Sequence, residues 1–133
     1  MIGVLITTHG NLGNELISAA ELIKGSIKGL IHVSVDESKG LEELKKEINT
    51  AIKKLDHGKG VLILTDLFGG TPSNLAISVM SLPNVEVLAG INLPMLVKLA
   101  KIRAECPLAE SVVAAQESGR KYITIASRVL AGK

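Results

Sequence analysis

The sequence predicts an α/β domain built on a mainly parallel, doubly wound sheet. Three observations carry that. Short apolar runs alternate with stretches of helical periodicity along the chain. Two of those runs, residues 2–7 and 61–65, are nearly continuous, as in strands covered by helices on both faces. The 133 residues suffice for one domain with a real core and are too few for two typical ones, so residues 1–133 are read as one unit.

The elements follow in order. Residues 2–7 form the first strand. A helix over 14–24 aligns Leu16, Ala20 and Ile23, with Leu12 just before them, on one face. The second strand is 30–35. A helix over 41–55 repeats Leu41, Leu44, Ile48, Ile52 and Leu55 every three or four residues, with Glu and Lys on the other face. The third strand is 61–65, and a helix over 72–81 follows. The fourth strand is 85–88. Helices over 94–103 and 108–118 come next, with Gly119 placed as a C-terminal cap. Residues 122–126 read as a last short strand.

Strand polarity orders the sheet. His32 and Ser34 interrupt the second strand, and Glu86 the fourth, as suits sheet edges. The order 2-1-3-4 then puts the first and third strands in the centre, a flavodoxin-like topology. Its switch point lies between them, where ligand crevices form at the carboxyl ends of the strands.

Composition removes several classes. Phe68 and Tyr122 are the only aromatics, which argues against a base-stacking nucleic-acid reader. Fifteen basic residues against 13 acidic ones leave no strong basic balance, so no nucleic-acid partner is implied. The lone Cys106 excludes an internal disulfide or a cysteine metal cluster and fits a reducing compartment. The run 2–6 lacks the charged flank of a signal peptide. No stretch nears the ~20 apolar residues that span a bilayer. A soluble cytoplasmic protein is expected.

Candidate chemistry sits at the two central strand ends. His9 follows the first strand, and Asp66 follows the third. Beyond Asp66 come Gly69-Gly70-Thr71-Pro72, which read as helix entry, with Thr71 as N-cap and Pro72 at the first helical position. The glycines allow close backbone approach, and N–H groups at Ser73 and Asn74 are expected to face the crevice. Such a helix start binds phosphate or carboxylate. No Gly-Lys-Ser/Thr follows the glycines, and Gly10-Asn11-Leu12-Gly13 misses the dinucleotide fingerprint. A histidine attacks phosphorus only with one ring nitrogen unprotonated. A carboxylate on the other nitrogen fixes that tautomer, a role open to Asp66. The combination suggests phosphoryl transfer through histidine, with residues 69–74 holding the transferred oxygens.

Each part has a plainer meaning alone. A single histidine after a strand is usually a loop residue, Asp66 an ordinary turn residue, and the glycines helix punctuation. Their joint placement at one switch point is what distinguishes them. His32 reads as structural or exposed, and His57 as a C-terminal helix residue. Three separated histidines make no metal site. Cys106 before Pro107 reads as an unreactive loop thiol.

Thr8-His9-Gly10, the run from Asp66 to Asn74 and Ala89-Gly90-Ile91-Asn92-Leu93-Pro94-Met95-Leu96 follow three strand ends. Together they resemble the IIA domain of the mannose family of the bacterial sugar phosphotransferase system (PTS). The resemblance spans the chain to about residue 126. It implies that His9 takes phosphate on Nε2 from the histidine-containing phosphocarrier HPr and passes it to an EIIB component. Asp66 would orient the ring through Nδ1. Backbone amides of Gly70 and Thr71 would contact the phosphoryl group, with the Thr71 hydroxyl beside it and Ser73 in the same helical turn. The Pro94-Met95-Leu96 turn would lie on the same rim and contact partners. The resemblance also implies a homodimer in which residues 120–127 form a strand exchanged between subunits. EIIB would be a separate polypeptide, membrane components would choose the sugar, and no metal, nucleotide or other cofactor would be needed at this step.

Three other readings compete. One is the phosphotransfer subunit of a phosphoenolpyruvate-dependent dihydroxyacetone kinase, which shares the fold. Another is a regulatory module whose phosphorylation state a partner reads. The last is a small-ligand domain that uses the crevice without covalent chemistry.

Overall fold

The computed structural model describes residues 1–132. Ten elements run in the order β1 (Gly3–His9), α1 (Leu12–Lys24), β2 (Leu30–Val35), α2 (Leu41–Leu55), β3 (Val61–Thr65), α3 (Thr71–Ser78), β4 (Val85–Ala89), α4 (Leu93–Ile102), α5 (Leu108–Lys121) and α6 (Ala126–Leu130). The four strands form one parallel sheet in the order β2-β1-β3-β4. Side chains of a strand alternate between faces, so each central strand feeds two cores. Leu5, Val61 and Ile63 pack with Leu44, Ile48, Ile52 and Leu75 from α2 and α3. Val4, Ile6, Leu62 and Leu64 pack with Ala20, Met95, Leu96, Leu99 and Ala115 from α1, α4 and α5.

The expected strand order is the observed one. Several local expectations are corrected. Leu41 is 59% exposed, because the apolar stripe of α2 meets the sheet only from Leu44 onward. Leu12 and Ile23 are also exposed, so α1 is held chiefly through Ala20, Leu16 and Ile17. Helix α3 ends at Ser78 rather than 81, and its chain tightens into three-residue turns through Met80 and Leu82. His57 lies beyond α2, in a turn where the Asp56 carboxylate accepts from the Gly58 and Gly60 N–H groups.

Gly119 is no cap: α5 continues through it to Lys121. Its role is close approach. A Cβ there would lie 2.6 Å from Met95 Cε, and its carbonyl accepts from Asn92 Nδ2 at 3.0 Å. The expected strand over 122–126 is likewise absent from the single chain. Residues 122–125 are irregular, α6 starts at Ala126, and β4 pairs only with β3 among the described residues. A strand exists only as part of a ladder, and this segment pairs with no strand of its own chain. Its Tyr122, Ile123 and Ile125 stand exposed.

Candidate phosphoryl-transfer site

The sheet register builds the site. Thr7 on β1 stands opposite Thr65 on β3, so the residues just past them meet at the switch point. Asp66 Oδ2 accepts from the His9 backbone N–H at 2.9 Å and lies 2.8 Å from His9 Nδ1. Its Oδ1 accepts from the Leu67 N–H at 2.9 Å. One carboxylate therefore grips the histidine by main chain and ring together, while its other oxygen is tied to its own loop.

The two side chains differ in exposure. Asp66 is 12% exposed and the His9 side chain 53%. Burial of the Asp66 carboxyl works to raise its pKa. Hydrogen bonds from the His9 backbone and ring, the His9 charge and the Leu67 N–H outweigh it and hold the group below its ordinary 3.8. Asp66 is thus ionised at neutral pH and can only accept, so Nδ1 carries the proton of the neutral ring. Nε2 of the neutral ring is then left with its lone pair.

Gly70 forms the floor beside the ring. A Cβ at this position would lie 2.9 Å from His9 Cε1 and 3.5 Å from Nε2, so only glycine lets the α3 entry approach this closely. Gly69 holds φ +93°, which also favours glycine. The helix entry differs in detail from expectation. Gly70, not Thr71, is the N-cap of α3, with extended backbone and no side-chain cap bond. The Asn74 N–H closes the first turn on the Gly70 carbonyl at 2.9 Å, and the Gly70 N–H donates to Leu67 O at 3.2 Å. Thr71 is exposed at the rim. Ser73 is fully buried, and its Oγ has no partner. Thr7 Oγ1 and Thr65 Oγ1 are also buried and unpaired. Three buried hydroxyls without a protein partner thus lie at or beside the site.

The expectation for the third turn is corrected for two of its residues, while Pro94 is half-buried. Met95 and Leu96 turn inward and are 5% and 2% exposed, because they sit in the first turn of α4 facing the core. Asn92 caps that turn, accepting from the Met95 N–H at 3.1 Å. Exposed apolar side chains stand elsewhere around His9: Phe68 at 75%, Leu67 at 63% and Leu12 at 46%.

Sequence reasoning missed a layer behind His9. Thr8 Oγ1 is buried, accepts from the Gly13 N–H at 2.9 Å and lies 3.1 Å from His32 Nε2. Ser34 Oγ donates to the Gly10 carbonyl at 2.6 Å, and the Gly10 N–H donates to the Val35 carbonyl at 2.9 Å. The polar interruptions of β2 were read as signs of an edge, and they are also ties to the His9 turn. Burial, and then the Lys39 charge, lower the His32 pKa below 6.5, so this ring is neutral at pH 7. No group of three or more His, Cys, Asp or Glu side chains among the described residues has metal-binding geometry. No helix among the described residues is long and apolar enough to cross a membrane.

Fold and site together define a doubly wound domain that presents a carboxylate-held histidine at its switch point. Comparison with known proteins gives the family. The family model described as the PTS system fructose IIA component matches residues 3–116. The chain is 36% identical over 124 residues to the mannose-specific EIIAB component of Escherichia coli K12, covering 92% of this chain and 38% of that protein. It is 33% identical over 109 residues to the fructose-specific EIIA component of Bacillus subtilis, covering 81% of this chain and 75% of that one. The crystal structure of EIIA from Streptococcus agalactiae matches with a TM-score of 0.87 at 26% identity, covering 96% of this chain and 98% of that one. The chain belongs to the mannose family of PTS IIA components. It spans only 38% of the length of its E. coli mannose relative.

Proposed function

We propose that the chain is a cytoplasmic phosphocarrier in which His9 accepts a phosphoryl group from phospho-HPr and passes it to an EIIB component during sugar uptake. The observation that carries this is the 2.8 Å bond from His9 Nδ1 to Asp66, which keeps the proton of the neutral ring on Nδ1 and leaves Nε2 unprotonated on a half-exposed side chain. The Nε2 lone pair forms a bond to phosphorus as the P–N bond of the donor phosphohistidine breaks. The donor ring leaves with that electron pair. No proton need move: Nδ1–H stays on His9, and Asp66 balances the positive charge that develops on the ring. Gly70, Thr71 and Ser73 form the phosphoryl-binding turn, with the exposed Thr71 offering its hydroxyl and the start of α3 its dipole. The apolar collar of Phe68, Leu67 and Leu12 suits a protein donor better than a small free ligand. A cavity of about 460 Å³ lies away from this site, lined by Met1, Lys59, Asn84 and Arg103.

The test is incubation with phosphoenolpyruvate, enzyme I and HPr, followed by intact mass and site mapping in alkali. One acid-labile phosphate on His9 is expected. An unmodified His9 beside fully phosphorylated HPr overturns the proposal.

The family resemblance also leads us to propose a homodimer in which residues 120–127 exchange as a strand. The open edge of β4 and the exposed Tyr122, Ile123 and Ile125 support it. Light scattering at micromolar concentration is expected to give twice the 14.0 kDa chain mass. A monomer there removes the dimer and leaves the phosphocarrier reading intact.

A further inference from the structure

We propose that His32 is a positioning residue for His9, acting through the Thr8 hydroxyl and the Gly13 amide. The inference rests on the phosphocarrier reading for its catalytic consequence, but its geometry stands on its own. Thr8 immediately precedes His9, the last residue of β1, and Gly13 is the second residue of α1, so a bond between them closes the β1–α1 turn that starts at His9. That bond uses the Thr8 oxygen as acceptor, because the Gly13 N–H can only donate. The buried Thr8 hydroxyl proton then needs an acceptor of its own, and His32 Nε2 at 3.1 Å is the one within reach. His32 Nε2 is therefore the unprotonated nitrogen, and the chain of bonds runs from the Gly13 N–H to Thr8 and from the Thr8 O–H to His32.

Packing locks the arrangement from the other side. A Cβ at Gly13 would fall on the His32 ring, 2.5 Å from Nε2, so the α1 entry rests on the imidazole. Two more ties from β2, Ser34 Oγ to the Gly10 carbonyl and the Gly10 N–H to the Val35 carbonyl, hold the far side of the turn. His9 is thus gripped by Asp66 in front and by β2 behind. Asp66 fixes where the ring points. The His32 relay fixes where its backbone stands. Loss of the relay leaves the Thr8 hydroxyl buried without an acceptor and frees the loop to shift. Displacements of about 1 Å in such sites cost roughly 10²-fold in rate.

The experiment compares wild type, His32→Leu, His32→Gln and Thr8→Val in the full chain. Rapid-quench transfer from phospho-HPr gives the rate at saturating donor and the half-saturating concentration. Long-range ¹H–¹⁵N spectra of the unphosphorylated proteins report the His9 ring tautomer. For His32→Leu we expect the saturated rate to fall roughly 10- to 100-fold, as for other indirect ligand-orienting partners. Half-saturation should stay within about twofold, because the docking surface is untouched. The His9 ring nitrogens should shift toward a mixture of tautomers. His32→Gln, whose amide oxygen can accept from Thr8, should recover most of the rate. Thr8→Val combined with His32→Leu should be no worse than either alone. A slow His32→Leu with an unchanged His9 tautomer, or a Gln variant as slow as Leu, overturns the proposal. If wild-type His9 takes no phosphate, the phosphocarrier reading fails by itself, and the ring spectra still decide whether His32 positions His9.

Discussion

His9→Ala is expected to abolish phosphoryl acceptance while leaving the fold intact. Its side chain is 53% exposed and, among the described residues, hydrogen-bonds to Asp66 alone. Truncation therefore removes a half-exposed ring and not a core side chain. Asp66 keeps the backbone N–H of residue 9 and that of Leu67 as donors, so the carboxylate is not orphaned. Stability should move by no more than about 0.5–1 kcal/mol, the range for surface positions with modest contacts. Acceptance, by contrast, should be lost entirely, because Nε2 is the atom that forms the bond to phosphorus. His32 points into the layer behind the loop, and His57 lies at the opposite end of β3, beyond α2, so neither can substitute. Intact mass after incubation with phospho-HPr and a urea denaturation curve make the pair of measurements. A variant that still gains one acid-labile phosphate places the chemistry on another residue. A variant that binds a small ligand as well as wild type, where wild type is never phosphorylated, favours the non-covalent reading.

The parts of this site that could be read from sequence are those that depend on strand ends. His9 and Asp66 terminate the two apolar runs that must lie in the sheet centre, so their meeting follows from topology once the order 2-1-3-4 is accepted. Gly70 was visible as a glycine at a helix entry. Its role was legible only as a general permission for close approach. What the structure adds is the partner: the His9 ring itself. Gly13 and Gly119 show the limit of that kind of reading. Both are glycines because a side chain from a distant element lies against them, His32 for one and Met95 for the other. Nothing within a few residues of either reports that, and from sequence alone Gly119 reads as a helix cap. His32 has the opposite history. Its position in β2 was read correctly as an interruption of an apolar strand. Its use required knowing that Thr8, on the neighbouring strand, turns a buried hydroxyl toward it. The segment 122–126 has the β-branched and aromatic residues of a strand, yet composition does not say which strand it would pair with, and within the single chain it pairs with none.

Asp66→Ala is expected to slow transfer to His9 by roughly 10²- to 10⁴-fold without eliminating it, as removal of a tautomer-fixing carboxylate does elsewhere. The residual rate arises because the α3 entry and Gly70 remain, and a free imidazole still visits the Nδ1–H tautomer part of the time. The loss divides into two effects with different signatures. One is orientation, which a hydrogen-bond acceptor of similar size restores in part. Asp66→Asn can accept from Nδ1–H only with its NH2 set against the Leu67 N–H, which Asp66 Oδ1 now accepts, so it should recover no more than a small part of the alanine loss. The other is charge, because only a carboxylate balances the cation that forms when Nε2 takes phosphorus, and asparagine cannot restore that share. The same contact sets an acid limit on stability. The folded-state pKa of Asp66 lies below its ordinary 3.8, so the interaction contributes fully above 3.8 and is lost as pH falls through the lower folded value. Wild type should be more stable than Asp66→Ala at neutral pH, and the gap in denaturation midpoint should close on acidification below 3.8. Transfer at the wild-type rate by Asp66→Ala would show that the 2.8 Å contact does not orient the ring. A stability gap that persists unchanged below that range would show that the carboxylate charge is not what holds His9 in place.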